Sequence, residues 1–205
     1  LRAEAEKIAH RYWDLRRQFV FVAPAGSADW CIEQAISYPG NAVVISDSGD
    51  NLTAGGVGDI PLVIGRLLAF PPFATGALTA IYASIPDPAA VAACVDAGVG
   101  QQVDLLLGGK LDRVHAQPLA IRGTVVSLHP DDPIGGMIAV VRAGGVNVII
   151  TSRRKPYHYL KDFTDLGLDP TAHKLLVVKI GYLVPELRQI AQYALLALTP
   201  GAVNQ

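Results

Sequence analysis

Apolar and polar positions follow two different rhythms along this chain. From Leu1 to Arg17, Ile8, Tyr12 and Leu15 recur at helical spacing among charges, which predicts an amphipathic helix. "QFVFVA" then reads as a short strand and "SADWCIEQAIS" as a helix, with Ser27 as its cap and Asp29 in its first turn. "NAVVIS" is a continuous apolar run, the pattern of a strand buried on both faces. A glycine-rich loop follows, and beyond it come a helix from Asp59 to Phe70, a strand in "GALTAIYA", a Pro-initiated helix in "PDPAAVAACVDAG" and a strand in "QQVDLLLG". Such alternation predicts a parallel sheet with right-handed crossovers.

From Gly108 the rhythm changes. "GGKLDRVHAQPLAIRGTVVSLHPDDPIGGMIAVVRAGGVNVIITS" has no helical period, and Gly-Gly and Asp-Asp-Pro turns separate its β-rich runs, so it predicts antiparallel hairpins. Thereafter "YHYLKDFTDLGL" reads as a helix, "HKLLVVKI" as a strand and "VPELRQIAQYALL" as a helix, with a last short strand ending near Leu198. The fold class is therefore α/β: a mostly parallel sheet flanked by helices, with an antiparallel β-rich insertion around 108–151. Neither internal repeats nor a low-complexity linker interrupt it, so one domain is the economical organisation.

Composition narrows this picture. A chain of 205 residues can bury roughly 70% of its unfolded surface. A hydrophobic share of 51% against 17% charged suits strands packed on both faces. Gly, Pro, Asp or Arg breaks every apolar run before the ~18 residues that a membrane-spanning helix requires, and no signal-peptide pattern is present. The 17 basic and 18 acidic residues form no basic stripe, which argues against nucleic acid as a partner. Cys31 and Cys94 lack CxxC spacing and read as buried free thiols of a reducing compartment, the cytoplasm. Because the chain begins at Leu1 rather than Met, it is expected to be part of a longer protein.

Candidate chemistry follows from the fold class. In open α/β sheets, ligands bind beyond the carboxyl ends of the strands, where loops converge. That rule selects Asp47, Asp50, Asn51 and Asp59 after "AVVI", Ser152, Arg153 and Arg154 after "VNVIIT", and Lys179 after "LLVV". Each also has an ordinary reading: Gly and Asp favour turns, Asp59 beside Pro61 suits a helix cap, and paired arginines are commonly solvated. The loop "SDSGDNLTAGGVGD" lacks the Gly-Lys-Ser/Thr ending of a P-loop and the GxGxxG pattern of a dinucleotide site. His10, His115, His129, His158 and His173 are scattered, with no HExxH, so no complete transition-metal site is expected; a carboxylate-lined cation site at Asp47, Asp50 and Asp59 stays open.

The motifs "SDSGDNLTAGGVGD", "DAGVGQQVDLLLGGKLD", "GGVNVIITSRRKPYHYLKDFTDLGLDP", "LLVVKIGYLVPEL" and "LTPGAV" resemble, in order, the C-terminal domain of the microcystinase C (MlrC-like) metallopeptidases, from about Asn41 onward. One departure is Leu52, where the family has Pro. The resemblance implies a zinc-dependent peptide or amide hydrolase whose metal ligands lie in an N-terminal domain, with this chain packed against it and holding neither metal nor catalytic residue. Residues 1–34 would be a connecting helix and first strand, and 35–205 the C-terminal α/β domain. The loop from Asp47 to Asp59, with Gly55 and Gly58 permitting close approach, would face the cleft together with Ser152, and Arg153 or Lys179 would pair with a substrate carboxylate. A stand-alone module binding small molecules or anions, and a non-catalytic scaffold, are the alternatives.

Overall fold

The computed structural model describes residues 1–203. It opens with α1 (Arg2–Leu15), β1 (Ala25–Gly26), α2 (Ala28–Ser37) and β2 (Val43–Asp47). A 3-10 turn at Leu52–Ala54 leads to α3 (Leu62–Ala69), the short α4 (Pro71–Ala74), β3 (Ala80–Pro86), α5 (Pro88–Ala97) and β4 (Gln102–Leu107). Three strands then run in succession: β5 (Leu119–Asp132), β6 (Gly136–Ala143) and β7 (Val146–Thr151). The single-turn α6 (Lys161–Thr164), β8 (Leu175–Val178), α7 (Pro185–Ile190) and β9 (Tyr193–Ala197) complete the described elements.

Among the described residues these strands form one sheet in the order β1-β9-β2-β8-β3-β7-β6-β5-β4. Neighbours from β1 to β7 are parallel, and β7 to β4 are antiparallel. The α/β class is thus as expected, with a mixed sheet. The β-rich region is continuous with the rest, because β7 pairs with β3 on one side and β6 on the other.

Pleating explains the two cores. Val43, Ile45, Tyr82, Val148 and Val177 point toward α2, α3 and α5, while Val44, Ile81, Ile149, Leu176 and Val178 point toward Phe163 and Leu187. Both faces being covered, β2, β3, β7 and β8 are buried at every position, which is why they read as unbroken apolar runs. The helix starts are equally local: Ser27 accepts the Trp30 N–H at 3.2 Å, and Asp87, just before Pro88, accepts the Ala90 N–H at 3.1 Å.

Several elements depart from the sequence reading. "QFVFVA" is not a strand: Phe19 to Val22 are exposed, and the edge of β9 is occupied instead by Ala25–Gly26. β4 is an antiparallel edge strand whose side chains alternate between exposed and buried. α3 begins at Leu62 rather than Asp59, whose side chain is engaged elsewhere. Helix in "YHYLKDFTDLGL" shrinks to one turn, because the Asp162 carboxylate accepts the His158 and Tyr159 N–H groups and Gly167 leaves the helix at φ +75°. "YALL" belongs to β9, since the free edge of β2 captures it. α1 is a helix as expected, yet no residue of it is buried, and Ile8, Tyr12 and Trp13 remain exposed.

Truncation and core substitution should therefore differ. Deleting residues 1–17 is expected to change the unfolding free energy by no more than about 0.5 kcal/mol. Leu176→Ala, in a fully buried strand between β2 and β3, is expected to cost about 2–5 kcal/mol, as read by urea denaturation.

Candidate functional site

The parallel strands deliver their carboxyl ends to one edge: Asp47 from β2, Lys179 after β8, Asp87 after β3, Ser152 after β7 and Thr199 after β9. At its centre the Lys179 ammonium meets the Asp50 carboxylate at 2.7 Å, with side-chain exposures of 0% and 1%. Lys179 also donates to the Gly58 carbonyl and, at 3.2 Å, to that of Ile60. Asp50 accepts the Gly58 N–H at 2.6 Å through one oxygen and the Ile60 N–H at 2.8 Å through the other. A single ion pair thus satisfies both the donors and the acceptors of the returning glycine loop, and every N–H of the ammonium has an acceptor.

The loop's glycines serve that closure. Gly58 lies at φ +93°, and a Cβ there would stand 2.5 Å from Leu52 Cδ2. Gly55, exposed at φ +105°, ends the 3-10 turn in left-handed geometry. Asn51 opens the turn, its side-chain oxygen accepting the Thr53 N–H at 2.8 Å and hydroxyl at 2.7 Å.

Asp47 is buried beside this pair and accepts from the Thr199 hydroxyl. Burial raises its pKa, against the opposing pull of Lys179 and Thr199. Tyr82, whose hydroxyl donates to the Ile60 carbonyl at 3.2 Å, has its pKa driven well up by burial and by Asp47 and Asp50. The low-dielectric pocket therefore disfavours further negative charge.

Asp59 does not cap α3. Its carboxylate gathers the consecutive N–H groups of Lys110, Leu111 and Asp112 at 2.8, 2.6 and 3.1 Å, anchoring the loop after β4. Asp112 in turn accepts from Val114 N and His115 N and pairs with His115 Nδ1 at 2.8 Å. Burial opposes the Asp112 anion, but these His115 and Val114 contacts outweigh it and hold its pKa below the usual value.

The structure brings Asp47, Asp50, Asn51, Gly58 and Lys179 together, with Gly55 on the outer side of the same loop. Ser152 and Arg153 are held to a different feature, the β5–β6 turn. Ser152 accepts the Met137 N–H at 2.9 Å, and the exposed Arg153 donates to the Asp132 and Pro133 carbonyls. Arg154 links the two regions by donating to the Leu52 carbonyl. Three groups escape the sequence reading. Asp87 accepts the Lys110 ammonium and Gly108 N–H; the strand-end rule finds it only once β3 is known to run past Ala83 to Pro86. The buried Lys155 bridges Asp132 at 2.6 Å and Asp162 at 3.0 Å, which no local pattern signals, and His115 pairs with Asp112, a contact that their i,i+3 spacing could have suggested.

A metal does not fit these carboxylates. Asp50 and Asp59 each use both oxygens on N–H donors, and the Lys179 ammonium holds the place a cation would take. Among the described residues no three His, Cys, Asp or Glu are grouped to hold one.

Helices on both faces of a largely parallel sheet, with polar side chains gathered at its carboxyl edge, define a doubly wound α/β domain. The family described as MlrC C-terminus matches residues 45–205, and the chain belongs to that family. Microcystinase C of Sphingomonas sp. is 26% identical over 153 residues, covering 71% of this chain and 29% of that protein. A crystal structure from Mesorhizobium sp. BNC1, provisionally described as that of a metallopeptidase, shares the fold: its TM-score is 0.81 at 22% identity, over 96% of this chain and 40% of that one. The chain thus spans less than half the length of either relative.

Lys179→Met would leave the Asp50 carboxylate buried without its counter-charge. It is expected to cost about 3–5 kcal/mol of stability by chemical denaturation, and a loss below about 1 kcal/mol would contradict the role assigned to the pair.

Proposed function

We propose that this chain is the C-terminal domain of a zinc-dependent peptide or amide hydrolase, packed against a metal-bearing N-terminal domain outside residues 1–205. Residues 1–34 act as the connecting region, and the carboxyl edge of the sheet faces the cleft. Membership of the MlrC C-terminus family over residues 45–205, in a chain matching only 29% of Microcystinase C, is the observation that carries this reading.

In this reading the chain shapes and orients. Zinc, held by the other domain, supplies the Lewis acidity and the activated water. The loop from Asp47 to Asp59 presents its exposed tip, Thr53 to Gly55, while the buried Asp50–Lys179 pair keeps that tip rigid. Since Lys179 spends its donors inside the loop, pairing with a substrate carboxylate falls to Arg153, whose exposed guanidinium keeps free N–H groups beyond its two carbonyl contacts.

Activity of the longer protein should require zinc and be lost on chelation, and the present chain alone should hydrolyse no peptide with or without zinc. In the longer protein, Arg153→Ala is expected to raise KM about tenfold for peptides with a free carboxylate, the equivalent of about 1.4 kcal/mol, and to leave amidated peptides unaffected. Stoichiometric zinc binding with turnover by this chain alone would overturn the division of labour. An unchanged KM would remove Arg153 from the cleft.

A further inference from the structure

A cavity of about 410 Å³ lies on the α7 side of the sheet, where no helix covers β9 and β2 completely. Ser46 and Ala194, from these adjacent strands, line it together with Leu183 after β8, Arg188 of α7 and Phe21 from the segment before β1. Its size falls within the range of small-molecule sites, and most of its lining is apolar.

Two polar groups stand out within it. Ser46 is 4% exposed, and its side chain lines the cavity from β2. Lining the cavity wall, that side chain is positioned to meet whatever fills the cavity. Arg188, exposed on α7, makes one long contact, 3.5 Å to the Ala191 carbonyl, and among the described residues it forms no ion pair with a carboxylate. A guanidinium free of carboxylate partners at the rim of an apolar enclosure is complementary to one chemical class, an anion whose remaining surface is apolar.

We propose that this cavity binds a small carboxylate with an apolar body. Arg188 supplies the counter-charge, Ser46 a hydrogen-bond donor, and Phe21 and Leu183 enclose the apolar part. Planar, bidentate pairing favours a carboxylate over a halide-like ion, and the limited volume favours a single ring or short chain. The site does not depend on the hydrolase reading, because it needs neither a metal nor a second domain.

The test is a titration of the isotopically labelled 205-residue chain with 3-phenylpropionate and, separately, with the neutral 3-phenylpropanol. Saturable amide shifts are expected at Ser46, Gly181 to Leu183 and Ala194, with the acid binding about tenfold more tightly than the alcohol. Arg188→Gln, at an exposed helix position, should abolish that preference without disturbing the fold, and Ser46→Ala should weaken the acid several-fold. Absence of saturable shifts, shifts confined to other surfaces, or equal affinity for acid and alcohol would each overturn the proposal.

Discussion

The Asp50–Lys179 ion pair is the contact on which the carboxyl edge depends. It joins the loop leaving β2 to the residue leaving β8, two residues that lie 129 positions apart along the chain but follow neighbouring strands of the sheet. Taking two charges out of water costs several kcal/mol per ion unless their remaining hydrogen bonds are made. Here they are: the carboxylate collects two loop N–H groups and the ammonium two loop carbonyls. The loop thereby exchanges water for a fixed set of partners, at a place where an α/β fold commonly recognises something.

The same device recurs across this edge. Asp59 organises the 110–112 backbone, Asp87 holds Lys110 and Gly108, and Lys155 joins Asp132 to Asp162. In each case a carboxylate leaving one segment orders the backbone or ammonium of a distant one. Such groups give shape more than net stability, because apolar replacements of similar volume can match the energy of a buried ion pair without imposing a geometry. An edge built this way suits a surface that must present a defined form to another domain or to a substrate, and leaves the adjacent Arg153 and Arg154 to provide exposed charge.

Much of this was legible in the sequence where the signal was local. "NAVVIS" and "LLVV" identified central strands because burial on both faces leaves no polar positions, and Ser27 and Pro88 marked helix starts by their own backbone chemistry. The strand-end rule then reached Asp47, Asp50 and Lys179 without knowledge of their contacts. What escaped depends on partners remote in sequence. "YALL" continues a helical apolar pattern and becomes a strand only because β1 and β2 flank it; "QFVFVA" has the composition of a strand but pairs with none of the described strands. Asp59 looked like a helix cap because the N–H groups it accepts lie some fifty residues later.

The most direct measurement is native-state hydrogen exchange at the amides of Gly58 and Ile60, both bonded to Asp50. If the ion pair locks the loop into the sheet, these amides should exchange only with the free energy of global unfolding, in step with Val177 of β8. Exchange through local opening, fast at Gly58 and Ile60 while Val177 stays protected, would contradict the account, because it would show a loop that moves independently of the pair assigned to hold it.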